Sequence, residues 1–285
     1  LEPRHGDLCA ALETLPEVPK IVRVSRHPIS SPRHPLVKLL RSLRRGDPDP
    51  AERRLLLEGP HLLEEALRGR LELLAVAVSP RVLERPEVID LLRRLPPEKV
   101  EIIEDELLDS IADSDSPRGL VAIARAPRPH FGVAAAGSRF VLTDRIQDPG
   151  NLGAVARVAE ATGVGRLIAL QGSSRATHPR ALRASAGSLL RVPVQESDVE
   201  TARRDTATLS WIALDPHRGS DLHQTEVPAG AVLCLGGEGP GLSPEVASRV
   251  DAWLRIPMAG RVESLNVAVA AGVVLFELER RSRLA

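Results

Sequence analysis

From Arg139 onward, short apolar runs alternate with stretches of helical period, and this alternation restricts the fold more than any other feature. Strands are predicted at 140–142, 167–170, 209–213, 232–235 and 252–256, with helices between them and a last helix over 265–280. Strands separated by helices pair in parallel, and a parallel sheet is covered on both faces. The fold class is therefore α/β. A smaller alternation precedes it. Leu36, Leu39, Leu40 and Leu43 share one face of a helix over 35–45, and the triplet Leu55-Leu56-Leu57 ends at Gly59-Pro60. A helix through Ala66, a strand over 71–78, a helix over 86–94, a strand over 100–103, a short helix over 104–111 and a strand over 120–124 complete a small α/β unit. The domain organisation read from this is a tail or extra strand at 1–26, the small unit at 27–126, a linker at 127–138 and the larger unit at 139–285. The linker carries Pro127, Pro129, Gly132 and Ala134-Ala135-Ala136-Gly137.

Composition excludes several functions. With no Tyr, three Phe and two Trp, the cores are built from Leu, Val, Ile and Ala, and recognition of RNA by aromatic stacking is disfavoured. Cys9 and Cys234 fit no metal-ligand spacing, and no metal is expected. Two cysteines without a framework suit a reducing compartment. No apolar run approaches the length of about 18 residues that a membrane span needs. The first twenty residues lack the apolar core of a secretory signal. The chain therefore reads as cytoplasmic. Net charge is zero, so any affinity for nucleic acid must be local. Between residues 20 and 54 stand Lys20, Arg23, Arg26, Arg33, Lys38, Arg41, Arg44, Arg45, Arg53 and Arg54, opposed by Asp47, Asp49 and Glu52. Such a run is either a solvated helix face or a phosphate-contacting arm.

Three segments of the larger unit begin where a predicted strand ends, the edge at which open parallel sheets bind ligands. The first runs from Thr143 through Asp148-Pro149-Gly150-Asn151-Leu152-Gly153 to Arg157 and Glu160. Asn151 suits a helix start. Gly153 lies one helix turn before Arg157 and leaves room beside its guanidinium; a plain Arg157–Glu160 surface pair is the alternative. The second is Leu235-Gly236-Gly237-Glu238-Gly239-Pro240-Gly241-Leu242-Ser243. Its glycines allow positive φ and close approach to a ligand, or make an ordinary turn before a Ser243-capped helix. No G-x-G-x-x-G spacing is present, which argues against a nicotinamide-dependent oxidoreductase. The third is Ile256-Pro257-Met258 followed by Arg261 to Asn266, with Ser264 a good helix cap. The helix beyond is apolar on nearly every face and calls for a partner subunit.

Taken in order, Asn151-Leu152-Gly153 with Arg157, Gly237-Glu238-Gly239-Pro240-Gly241-Leu242, Ile256-Pro257-Met258 and Ser264-Leu265-Asn266 resemble the signature motifs of SpoU-type RNA 2′-O-ribose methyltransferases of the SPOUT superfamily. Pro179 to Ser188 resembles an intermediate family stretch. Ser31-Pro32-Arg33-His34-Pro35 and Leu57-Glu58-Gly59-Pro60-His61 resemble the L30e-like substrate-binding domain that precedes the catalytic domain in many of these enzymes.

The resemblance implies a catalytic domain tied in a trefoil knot, with S-adenosylmethionine held by Leu235, Gly237, Ile256, Met258 and Leu265. It implies a homodimer through the last helix. It also makes Arg157 the central catalytic group, with Asn151, Glu238, Ser264 and Asn266 orienting the ribose or bracing the cofactor loop. Arginine is a poor base because it stays protonated, so Arg157 is expected to stabilise the developing alkoxide. Glu238 is a candidate both for bracing and for accepting the 2′-hydroxyl proton. Phosphate contacts are expected from Arg33, Lys38, Arg41, Arg44 and Arg45. The substrate is expected to be ribosomal rather than transfer RNA. Methylation of a base nitrogen and a non-catalytic RNA-binding module are the alternatives.

Overall fold

The computed structural model describes residues 28–47, 49, 52–112, 118–228 and 230–284. The expected tail at 1–26, with Lys20, Arg23 and Arg26, lies outside them. The chain forms two compact units, the first reaching Pro127 and including Thr177–Pro179, the second holding Arg128–Ala176 and the residues from Arg180.

In the first unit, helix α1 (Pro35–Arg44) starts where the His34 imidazole accepts from Leu36 N–H at 3.3 Å. It buries Val37, Leu40 and Leu43, while Leu36 and Leu39 are only partly covered. Strands β1 (Arg54–Glu58), β2 (Leu73–Val78), β3 (Val100–Ile102) and β4 (Leu120–Arg125) form a sheet of order β1-β4-β2-β3. β4 runs antiparallel to both neighbours, and β2 pairs with β3 in parallel. Helices α2 (Pro60–Arg68), α3 (Pro86–Arg93) and α4 (Asp105–Asp109) complete the unit. The unit is α/β in class, with a mixed sheet.

The second unit is a seven-stranded sheet in which every pairing is parallel. Its strands are β5 (Arg139–Asp144), β6 (Arg166–Leu170), β7 (Val194–Ser197), β8 (Ser210–Leu214), β9 (Ser220–Asp221), β10 (Ala231–Gly236) and β11 (Ala252–Arg255), in the order β7-β6-β5-β10-β8-β11-β9. The five strands predicted from apolar runs are present. β7 and β9 were not predicted, because they lie at the sheet edges and carry polar residues such as Gln195, Glu196, Ser220 and Asp221. The last strands do not add at an edge: β10 enters between β5 and β8, and β11 between β8 and β9. Leu235 pairs with Thr143 and Gly236 with Asp144, so β5 and β10 end side by side and their loops emerge together.

Helix α5 (Pro149–Ala161) follows β5, and α6 (Pro179–Ala184), α7 (Val199–Asp205), α8 (Pro244–Ala247) and α9 (Val267–Ser282) follow in turn. Two expected caps shift. Asp148, not Asn151, caps α5, its carboxylate accepting from Asn151 N–H at 2.9 Å. Asn266, not Ser264, caps α9, accepting from Ala268 and Val269 N–H. Ser243 caps α8 as expected. Gly153 also has a different reason: a Cβ there would lie 2.3 Å from the Ala181 carbonyl oxygen and 2.8 Å from the Ala184 Cβ. The glycine admits close packing of α6 onto α5.

The core of this unit gathers Phe140, Leu142, Ile168, Trp211, Val232 and Cys234, and burial pushes the Cys234 thiol well above its ordinary range. The Arg166 guanidinium sits 4.6 Å from the centroids of both Phe131 and Phe140 and donates to the Gly132 carbonyl at 3.1 Å. Ala134 N–H donates to Asp205 O at 2.8 Å, so 131–134 is fastened to the unit. Among the described residues, no helix is long and apolar enough to cross a membrane.

Candidate active site

Three strand ends build the site. Asn151 lies in the first turn of α5, Glu238 in the loop after β10, and Asn266 at the start of α9. Asn151 Nδ2 donates to Glu238 Oε1 at 2.5 Å, and Asn266 Nδ2 donates to Asn151 Oδ1 at 3.0 Å and to Glu238 Oε1 at 3.2 Å. The amide orientations follow from the backbone. Asn266 Oδ1 accepts from the first N–H groups of α9, so its Nδ2 must face the other two side chains. That turns Asn151 Oδ1 toward Asn266 and Asn151 Nδ2 toward Glu238, where a carboxylate oxygen accepts both amides.

The loop carrying Glu238 is folded tightly. Gly241 N–H donates to Gly237 O at 3.0 Å, and Gly239 and Gly241 have φ of +84° and +64°. A Cβ at Gly236 would lie 2.3 Å from the Gly241 carbonyl carbon. The glycines are demanded by this closure.

Beside the cluster opens a cavity of about 660 Å³. The five residues expected to hold a cofactor, Leu235, Gly237, Ile256, Met258 and Leu265, line it together with Glu238, Ser264 and Asn266. Leu214, Asp215, Pro216 and His217 complete the wall. Sequence reading missed these four, although the strand-end rule that found the other loops applies equally to β8. Asp215 organises their turn by accepting from His217 N–H at 2.9 Å and Arg218 N–H at 3.0 Å. Burial alone would raise the Asp215 carboxyl, but these N–H groups and the Arg218 guanidinium hold it below its usual range. Arg218 in turn lies 3.5 Å over the Trp253 ring. The cavity is within the size range of small-molecule sites, has apolar Leu, Ile and Met walls, and offers backbone groups from a glycine-rich loop. Those features fit S-adenosylmethionine, which joins apolar parts to polar ones.

Arg157 is exposed on α5 and has no hydrogen bond or ion pair among the described residues, so it does not join the Asn–Glu–Asn cluster. The alternative surface pair with Glu160 is absent. Glu160 instead accepts from Arg191 Nη2 at 2.9 Å, and that guanidinium holds its carboxyl below the usual range. The basic residues of α1 divide into two groups. Arg41 donates to Ser110 Oγ at 3.2 Å, Arg44 to Ser110 O at 3.1 Å, and Arg45 pairs with Asp47 at 2.6 Å. Arg54 forms a forked pair with Asp49. The side chains of Arg33 and Lys38 are exposed and unpaired among the described residues.

Known proteins share the sequence and fold of this chain. Residues 138–276 match the model of the SpoU rRNA methylase family, and residues 56–130 match that of the RNA 2′-O-ribose methyltransferase substrate-binding domain. An uncharacterized tRNA/rRNA methyltransferase of Synechocystis is 35% identical over 89% of this chain and 93% of its own length. The 23S rRNA (guanosine(2553)-2′-O)-methyltransferase RlmP of Bacillus subtilis is 28% identical over 78% of this chain and 87% of its own. Among solved structures, an AdoMet-bound rRNA methyltransferase from Sinorhizobium meliloti superposes with a TM-score of 0.76 at 27% identity, covering 89% of this chain and 97% of that one. The parallel α/β sheet and the small α/β unit ahead of it are those of SpoU (SPOUT) methyltransferases. The chain belongs to the SpoU family and is an S-adenosylmethionine-dependent RNA 2′-O-ribose methyltransferase.

Proposed function

We propose that the RNA methylated is ribosomal, and that Arg157, Asn151, Glu238, Ser264 and Asn266 form the catalytic surface. The observation that carries this reading is the Asn151–Glu238–Asn266 network at the rim of the cavity. S-adenosylmethionine, when bound, supplies a methyl group already activated by a positively charged sulfur. The remaining difficulty is that a 2′-hydroxyl is a weak nucleophile, so the protein must align it and offset its proton. Leu235, Gly237, Ile256, Met258 and Leu265 hold the cofactor along the cavity wall. The two asparagines, fixed by Glu238, orient the ribose, and Ser264 closes the rim. Arg157, free of partners among the described residues, stabilises the alkoxide as it forms and grips the adjoining phosphate. Glu238 serves as a brace, its Oε1 already shared by two amides.

Arg33, just before α1, and Lys38 on it make phosphate contacts, supported by Arg41, Arg44 and the C-capping Arg45. Val269, Val273 and Phe276, at i, i+4 and i+7 on α9, are 52%, 37% and 54% exposed and form an apolar stripe. Covering that stripe with a second copy makes the enzyme a homodimer. Phe276→Glu then sediments as a monomer, and an unchanged dimer of that variant would exclude this face. The cytoplasm is the compartment this substrate requires.

The test is transfer of tritium from labelled S-adenosylmethionine to RNA from a strain lacking the gene, separated into ribosomal and transfer fractions. Label recovered as a 2′-O-methylnucleoside in the ribosomal fraction is expected. Label confined to transfer RNA overturns the substrate assignment.

A further inference from the structure

The loop from Gly236 to Ser243 is held from outside by two consecutive residues at the end of β5. The buried Asp144 carboxylate accepts from Ser243 N–H at 2.5 Å. Arg145 holds the loop twice. Its Nη2 donates to the Gly241 carbonyl at 3.2 Å, and its own carbonyl oxygen would lie 2.3 Å from a Cβ at Gly237. Both contacts depend on an uncommon backbone: Arg145 has φ of +59°, a left-handed conformation that opposes any side chain with a Cβ. Its Nε is buried without a hydrogen-bond acceptor among the described residues and lies 3.9 Å from the Asp144 carboxylate. Glycine would occupy this backbone freely. An arginine kept here at the cost of strain and an unmet buried donor points to a task beyond folding.

We propose that Arg145 is a positioning residue for the cofactor loop. Its guanidinium pins the Gly241 carbonyl while its carbonyl seats Gly237. Together these set the stretch that lines the cavity and carries the Glu238 carboxylate to Asn151 and Asn266. The inference rests on S-adenosylmethionine occupying that cavity, as read above. Arg145 acts through the loop and not on the reacting atoms.

Two variants test it. Arg145→Gly removes the side chain and relieves the strained backbone, which offsets the entropy glycine adds to the unfolded chain, and Arg145→Lys keeps a donor near Gly241. Calorimetric titration with S-adenosylhomocysteine should show the dissociation constant of Arg145→Gly raised about tenfold, as loss of one charge-assisted hydrogen bond implies. The KM for S-adenosylmethionine rises in parallel, the KM for RNA stays unchanged, and the unfolding midpoint holds or rises. Arg145→Lys recovers part of the binding. Wild-type affinity in Arg145→Gly, whatever its unfolding midpoint, overturns the proposal and leaves the cavity assignment standing. A rise confined to the KM for RNA overturns it in favour of a direct RNA contact. Wild-type protein that binds no S-adenosylhomocysteine overturns the cavity assignment and this proposal together.

Discussion

The carboxyl edge of the parallel sheet and the basic helix α1 were both marked by short sequence signals, and they behave differently in the folded chain. At the sheet edge, Asn151, Glu238 and Asn266 come from separate loops and meet within hydrogen-bond distance. On and beside α1, Arg41 and Arg44 donate to Ser110 and Arg45 pairs with Asp47, leaving Arg33 and Lys38 exposed and unpaired among the described residues. The first signal is written in residues whose backbone demands are specific, such as glycines at positive φ and amides that cap helices. The second is written in charge alone, and an arginine can commit its donors to a hydroxyl, a carbonyl or a carboxylate of its own unit. A run of basic residues therefore overstates the surface available to a phosphate.

The largest test of this contrast is at Arg157. Arg157→Lys retains the charge but not the planar fork, and kcat should fall by about 10²–10³-fold, the range for losing one group that stabilises developing charge. Near-normal turnover would put Arg157 on the same footing as the paired arginines of α1. Next comes α1 itself. Lys38→Ala should weaken RNA binding at all sequences and reduce the salt dependence by about one unit of slope, as loss of one phosphate contact does. Arg45→Ala, which removes a cation already paired with Asp47, should change that slope less, and an equal drop in both variants would erase the distinction between paired and free cations.

A smaller effect separates anchoring from chemistry at the sheet edge. Asp148→Ala removes the α5 cap and should cost about 1 kcal/mol in denaturant unfolding. Asn151→Ala, with the cap retained, should lower turnover while leaving the unfolding free energy close to wild type. The smallest effect belongs to a charge cluster on α9, Glu277 with Arg280 and Arg281. The Arg280 and Arg281 guanidinium groups hold the Glu277 carboxyl down to about 2, from an ordinary 4.5. A depressed folded-state value stabilises above the unfolded one, so the contribution is complete above 4.5 and is lost as pH falls toward 2. Glu277→Gln should melt slightly lower than wild type near neutrality, with the gap closing across that acid window. A gap that widens in acid would reverse the sign.

What could be read in advance follows the same division. The interior strands are apolar runs, and the five predicted ones are found, whereas polar Val194–Ser197 and the two-residue Ser220–Asp221 carry no such mark. Ser243 was legible as a cap because its local pattern has one reading. Asn266 and Asp148 were not, because Ser264 and Asn151 stand nearby and are equally good by type. The choice between them is made by tertiary contacts. Gly153 was legible as a site needing room, but the neighbour that takes the room is α6, some thirty positions away in sequence, and no local pattern names it. The wall at 214–217 could have been found from the end of β8, and was passed over for want of a glycine-rich or amide-bearing motif.

The meeting of Asn151 with Asn266 joins residues 115 positions apart. During synthesis Asn151 is added 115 residues, and Glu238 28 residues, before the Asn266 that completes their network. A nascent chain that has not reached Asn266 thus has no finished catalytic surface, however well its first strands have paired. Such separations slow folding, because distant segments must be brought together before their contacts repay the search. The arrangement ties the assembly of this network to the docking of α9, whose first turn Asn266 caps.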